Sequence, residues 1–388
     1  MIVDCRRPRL EYLFNGDLAE SSTFLPPAAT RSLRIRGCCE PGRLALRPPF
    51  PLSPAFCRAS RPITFIDTST LLPKVIRVTR IYDLAMTHKL DTDDYFIHCI
   101  QRLCAEAGLN FFLIDPTWVE QFLTYLQQGK VWPRVLLNMH SEHHEPKDIF
   151  HRLVQLAADM KTQVIDPPDR AQAAFDKARL HPRLVETGIP VPWTVLVPRI
   201  RPEGWQLTAE EQASLGTPFI IKPAMGYGRR GLVMDATSAA DVSRSEATWE
   251  DQTYLFQNRV KPREREGEPV YFRAFYVFGE VYVAWWNCYN DRYRLVLETE
   301  RKEWPLAEVE DLSRRLAALT QMQFFSTEIA QDVEGKCVVI DYVNDQCHLL
   351  SQSAHPQMGV PDELIANIAR QIVRGVTQMV RPRADGSK

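Results

Sequence analysis

Short apolar runs alternate with stripes of helical period from residue 74 onward. Residues 74–79, Lys-Val-Ile-Arg-Val-Thr, read as a strand because apolar and polar side chains take turns. Residues 94–107 then read as a helix, 110–114 as a strand, 116–126 as a helix, 135–139 as a strand, 146–160 as a helix and 162–165 as a strand. Strand and helix in turn predict a small open α/β sheet, giving an N-terminal domain over residues 71–166. Asp166-Pro167-Pro168 marks its end, since consecutive prolines interrupt both periods. Beyond this point strands come in pairs: 218–222 precedes a glycine-rich loop, and 324–330 and 338–344 flank an Asp-Val-Glu-Gly-Lys turn.

The first 70 residues follow neither period. They hold Pro26-Pro27, Pro48-Pro49, Pro51 and Pro54, many arginines, few acids and no lysine. Such a segment is expected to be disordered, as an organelle transit-like leader or an over-extended start of translation. It carries no catalytic pattern.

The most informative chemistry lies at residues 218–231, where an apolar strand ends in Lys222 and a loop carries Gly226, Tyr227, Gly228 and Gly231. A lysine facing glycines suits a phosphate chain, because backbone N–H groups approach an anion closely where no Cβ intervenes. The spacing satisfies GxGxxG, yet Gly231-Leu-Val-Met-Asp reads as a strand, whereas a dinucleotide fingerprint needs a helix directly after the loop. A protein kinase places its lysine after the loop and carries HRD and DFG segments, which this chain lacks. A Walker A loop needs Gly-Lys followed by Ser or Thr, and no such run occurs. Two readings stay open: a β-hairpin lid over phosphates, and a glycine-rich turn that binds nothing.

A second group of residues stands about a hundred positions on. Glu328 lies in the strand at 324–330, and Asp341 and Asn344 lie in the strand at 338–344. Carboxylates among apolar β-formers are costly to bury without a cation or hydrogen bonds. The three side chains offer hard oxygens of the kind Mg2+ takes beside substrate phosphates. The alternative is polar strand ends facing water.

Together these residues resemble the ATP-grasp superfamily of carboxylate-amine ligases, over roughly residues 74–378. The resemblance implies an α+β / α/β fold: an N-terminal open α/β (pre-ATP-grasp) domain, then an ATP-grasp domain over 167–380. The latter would have a lid at about 190–260, a metal-binding mixed sheet at about 268–350, and a tail at 381–388. Lys222 matches the family's lysine before the flexible glycine loop. Lys177, in the run from Asp176 to Pro192, matches the earlier phosphate or nucleotide lysine. Gln257 and the backbone near Val260 fall where relatives hold adenine, and Arg273 falls where an arginine faces the phosphates and stabilises transferred charge. Glu328, Asp341 and Asn344 would hold the metal.

That last strand departs from the family pattern, since Asn344 comes one residue late. Positions three apart in a regular strand point to opposite faces, so a bulge near Tyr342 and Val343 is expected. With a regular strand, Asp345 or Asn344 alone would complete the site.

The activity implied is an ATP- and Mg2+-dependent ligation of a carboxylate to an amine through an acyl phosphate, with Mn2+ as alternative metal. A kinase acting on a small-molecule hydroxyl and an inactive ATP-binding module are the competing readings. The implied partners are small-molecule carboxylate and amine substrates, and a homodimer is compatible.

Composition bounds these options. The chain has 388 residues and a net charge of −1, which gives no sign of a nucleic-acid partner. No apolar stretch reaches the roughly 18 residues of a membrane span. The nine cysteines form no CxxC pair, in keeping with a reducing, cytoplasmic setting. His140, His143 and His144 with Glu142 and Glu145 read as a solvated loop more than as a metal site, and the resemblance implies that this loop borders the second substrate. Trp285, Trp286 and Tyr289 are candidates for an acceptor pocket, and Arg229 and Arg230 for a phosphate clamp at the lid tip.

Overall fold

A computed structural model describes residues 80–90, 94–140, 145 and 147–381, which fall within one compact unit, Arg58–Lys388. The expectations for residues 1–70, for a strand at 74–79, for Glu142, His143 and His144, and for 382–388 lie outside the described residues.

The first sheet is built from β1 (Arg80–Thr87), β2 (Phe111–Ile114), β3 (Val131–Asn138) and β4 (Gln163–Ile165), ordered β2-β1-β3-β4 with all pairs parallel. Helices α1 (Asp94–Glu106), α2 (Val119–Gln127) and α3 (Ile149–Asp159) link them. β1 escaped the sequence reading for a physical reason. It is buried on both faces, with Leu84 and Met86 in one core and Tyr82 and Ala85 in another, so it shows no clean alternation. α3 begins later than its apolar stripe suggests because the Asp148 side chain caps it, accepting from the His151 N–H at 2.8 Å.

The chain leaves this sheet through Asp166. Its buried carboxylate accepts from the Gln323 and Phe324 N–H groups at 2.7 and 2.9 Å, and burial pushes its pKa up to about 7. Pro168 then opens α4 (Pro168–Phe175), where a missing N–H is harmless. Next come α5 (Lys177–Glu186), β5 (Thr194–Pro198), α6 (Ala209–Leu215), β6 (Phe219–Pro223), β7 (Val233–Ala236), α7 (Val242–Glu246) and β8 (Thr253–Gln257). The four strands form an antiparallel sheet, β5-β8-β6-β7, around Phe219, Ile221, Tyr254 and Phe256.

After a small hairpin of β9 (Glu264–Arg265) and β10 (Glu268–Pro269) comes the central sheet. It contains β11 (Tyr271–Val277), β12 (Glu280–Asn287), β13 (Arg292–Leu295), β14 (Phe324–Gln331) and β15 (Cys337–Asn344), with α8 (Leu306–Thr320) before β14 and α9 (Asp362–Val380) at the end. The order is β13-β12-β11-β14-β15, antiparallel throughout. Parallel and antiparallel pairing are thus divided between sheets, because hairpins join the central strands and helices join the first ones.

Alternation sorts the central strands. Phe272, Ala274, Phe325 and Ile329 join a core with Leu312 and Leu316 of α8. Phe275, Val277 and Phe324 join α9 and part of the first sheet. Gly375 allows α9 to sit this close: a Cβ there would lie 2.7 Å from the Phe278 ring. No helix among the described residues is long and apolar enough to cross a membrane.

Candidate active site

The glycine-rich segment is the connection between β6 and β7, an antiparallel hairpin. Its path needs glycine at Gly231, where φ is +70° and a Cβ would stand 2.5 Å from Pro223 and 2.8 Å from Trp249. The start of the loop is held by Asp251, whose carboxylate accepts from the Met225 N–H at 2.6 Å. At the tip, Arg230 stacks over Tyr227 at 4.8 Å, while Arg229 reaches Cys288 O at 2.8 Å and Asp291 at 2.6 Å on the β12–β13 turn. Both lid-tip arginines therefore contact protein groups.

Two lysines meet this hairpin. Lys177 opens α5, with Asp176 as the helix cap accepting from the Arg179 N–H at 3.1 Å. Its Nζ donates to Gly226 O at 2.8 Å, and its backbone N–H donates to Ala224 O at 3.1 Å. Lys222 points away from the lid core and donates to Ile340 O on β15 at 2.8 Å. Burial lowers its pKa against the opposing pull of Asp341 and Glu328.

The acidic residues face these lysines from the central sheet. Glu328 and Asp341 are direct cross-strand partners, and Arg273 lies opposite Glu328 on the other side. Arg273 forms an ion pair with Glu328 and donates through Nε to Ser326 Oγ at 3.1 Å. Burial pushes the Glu328 carboxyl up to about 7, with Arg273 opposing and Asp341 adding to the rise. At Asp341 burial also acts upward, but Lys177, Lys222, Arg273 and the Asn344 amide outweigh it and hold the carboxyl below its ordinary range.

The register between β14 and β15 shifts on both sides of the Glu328–Asp341 pair. Ser326 pairs with Asn344, Glu328 with Asp341 and Ile329 with Val339, so β15 carries one extra residue between Asp341 and Asn344 and another between Val339 and Asp341. Tyr342 and Val343 are consecutive, yet both side chains enter the α8 core. Asp341 and Asn344 consequently share the other face, and Asn344 Nδ2 donates to Asp341 Oδ2 at 3.2 Å. The irregularity lies where the spacing required one, and Asp345 is not needed to complete the group.

Lys177, Lys222, Gly226, Arg273, Glu328, Asp341 and Asn344 are thereby assembled into one cluster. Gln257 joins it from behind: its Nε2 donates to Thr194 Oγ1 at 3.0 Å and to the Tyr342 hydroxyl at 2.9 Å. Tyr227 packs on Trp249 and Gly228 is exposed, both at the outer side of the loop. Val260 lies past the end of β8, packed against the Tyr271 and Trp286 cluster and joined to the others by no hydrogen bond through its side chain.

Trp285 and Trp286 point to opposite faces of β12. Trp285 donates to Glu300 at 3.0 Å on the α8 side, whereas Trp286 lies beneath Arg273 with its ring 5.6 Å away. A cleft of about 310 Å³ opens there, lined among others by Tyr271, Trp286, Arg292 and Tyr293. Tyr289 is exposed on the turn. His140 packs edge-on against Phe150, and among the described residues no cluster of three His, Cys, Asp or Glu is set to hold a metal. Asp251 and His181 were not singled out by sequence, and Tyr342 entered only as the expected place of a bulge, with no role for its hydroxyl. Each looks like an ordinary strand, helix or loop residue until the fold brings its partner close.

No family model matches the chain, and no curated protein matches it in sequence. Solved structures do match in fold. The ATP-grasp ligase PsnB, complexed with minimal precursor, Mg and ADP, is 14% identical with a TM-score of 0.51, covering 76% of this chain and 98% of PsnB. D-alanine–D-alanine ligase from Bacillus anthracis complexed with ATP is 13% identical with a TM-score of 0.52, covering 79% and 100%. D-cycloserine synthetase DcsG is 14% identical with a TM-score of 0.53, covering 76% and 99%. This chain has the ATP-grasp fold.

Proposed function

We propose that the protein is an ATP- and Mg2+-dependent ligase that joins a carboxylate to an amine, and that it works in the cytoplasm. The observation that carries this reading is the convergence of Lys177, Lys222 and Arg273 on the paired Glu328 and Asp341 beneath a glycine hairpin. Bound ATP would supply the phosphoryl group, and a bound Mg2+ would offset phosphate charge. The donor set suits that ion: two carboxylates and an amide, all hard oxygens, leave further positions for phosphate oxygens. The five described cysteines are unpaired, in keeping with a reducing compartment.

In this reading a substrate carboxylate oxygen attacks the γ-phosphorus of ATP, forming an acyl phosphate as the bond to ADP breaks. The amine nitrogen then attacks the acyl carbon, loses a proton, and phosphate departs. No protein nucleophile is needed. Lys222 and Lys177 neutralise charge on the transferred group, Arg273 stabilises it from the sheet side, and the hairpin keeps water from the acyl phosphate. Arg273 must first exchange its partner, because Glu328 occupies it here.

ADP release measured across a panel of carboxylates and amines tests the reading. Release that requires both partners and yields an amide is the expected result. A phosphorylated product without amide would instead make the protein a kinase, and tight nucleotide binding with no turnover would make it a binding module.

A further inference from the structure

Tyr342 lies at the extra residue of β15 between Asp341 and Asn344 and is 1% exposed, with its ring in the core shared with α8. A core tyrosine needs a partner for its hydroxyl. Here there are two, from two different elements: Gln257 Nε2 of β8 donates to it at 2.9 Å, and His181 Nδ1 of α5 hydrogen-bonds it at 2.6 Å.

Each partner leads to a different part of the candidate site. His181 stands four residues after Lys177, hence on the same face of α5. Burial lowers its pKa to about 4, so the ring is neutral near pH 7 and offers one donor and one acceptor. Gln257 ends β8 and is also fixed by Thr194 of β5. Tyr342 itself separates Asp341 from Asn344. One hydroxyl therefore ties the helix of the first lysine, the end of the lid sheet and the strand of the acidic residues.

We infer that Tyr342 is a positioning residue: its hydroxyl, held by His181 and Gln257, keeps the bulge that turns Asp341 and Asn344 to one face and couples nucleotide binding to metal binding. The side chain never reaches the ligand face. Its ring buries on one side of the strand, Val343 follows it into the same core, and the two flanking polar residues are left together on the other. Without its anchor, the strand can relax to a regular register, which separates Asp341 from Asn344.

This inference rests on the ligase reading for its ligands, but one of its tests needs none. In the ligand-free full chain, amide hydrogen exchange over residues 341–344 should quicken in Tyr342→Phe, with the first sheet unchanged. Binding of a nonhydrolysable ATP analogue is then measured with and without Mg2+. Tyr342→Phe is expected to lose about tenfold or more of the Mg2+-dependent gain in affinity. Leu123→Ala, which opens a cavity in the α2 core of the first sheet without touching β15, should keep that gain.

A purely structural role would lower the melting temperature of both variants and leave the gain intact. A gain in Tyr342→Phe equal to wild type overturns the inference while leaving the nucleotide reading in place. Wild type that binds no nucleotide overturns both. If Tyr342→Phe does not fold, His181→Leu removes one anchor and keeps the ring. It should lose part of the gain, and full retention there would equally overturn the inference.

Discussion

In the lid, the base of the loop is fixed by Lys177, Asp251 and Ser245, but its tip is held by exposed side chains such as Arg229, whereas Glu328 and Asp341 are held by half-buried cations on a twice-bulged strand pair. Lifting the tip would break a surface pair and the bond from Arg229 to Cys288 O. Moving Asp341 would strip Lys222 and Lys177 of their compensating charge. The difference assigns the two regions separate tasks. A weakly held hairpin tip can admit and cover a ligand, while a rigid charged group meets it without reorganising.

The strongest way to break this comparison is to remove charge at the rigid end. Asp341→Ala leaves Lys177, Lys222 and Arg273 facing Glu328 alone, and loss of one partner from such a half-buried group costs about 1–3 kcal/mol. Urea unfolding should show a fall of that size. A loss below about 1 kcal/mol would mean the acidic end is as loosely held as the lid.

Lys222→Met comes next. It removes a charge-assisted donor, worth about 1.5–3 kcal/mol, so ATP-analogue affinity should fall roughly 10- to 100-fold with the fold preserved. Unchanged affinity would move the phosphate site away from Lys222.

The acidic end also responds to pH with a definite sign. Glu328 and Asp166 rise from ordinary values of 4.5 and 3.8 to about 7 in the folded protein. Between those limits the folded state binds more protons than the unfolded state, so stability from these groups decreases as pH rises from about 4 to 7. Melting temperature across that range should show this decrease, with Glu328→Gln flattening part of it. For nucleotide the sign is opposite: a protonated Glu328 is a poor metal ligand, so the Mg2+ effect should weaken below pH 7.

The smallest effect is expected at the lid. Arg229→Ala removes a half-exposed pair with Asp291 and should change stability by no more than about 1 kcal/mol. It should speed nucleotide association in stopped-flow measurements. A slower association would show that Arg229 recruits ligand and does not fasten the loop.

These contrasts explain what the sequence disclosed. The lid hairpin was legible because glycines and the strand after Gly231 specify a backbone path locally. The bulge was legible as a conflict, since Asp341 and Asn344 stand three apart and only an irregular strand brings them together. β1 was missed because burial on both faces removes the alternation that marks a strand. His181, Asp251 and the role of the Tyr342 hydroxyl were missed because their meaning lies in partners 161, 85 or 26 residues away, a relation no local pattern records. The engagement of Arg273 with Glu328 was equally out of reach. The family resemblance pointed Arg273 at a phosphate, while the fold pairs it across the strands.

The most direct test of the central claim is thermal stability of the full chain with a nonhydrolysable ATP analogue, with and without Mg2+. The account predicts a Mg2+-dependent stabilisation of about 2.7 kcal/mol at 100 times the dissociation constant. No shift in a folded protein would contradict it, leaving the lysines, the hairpin and the acidic strands as a scaffold that binds no nucleotide.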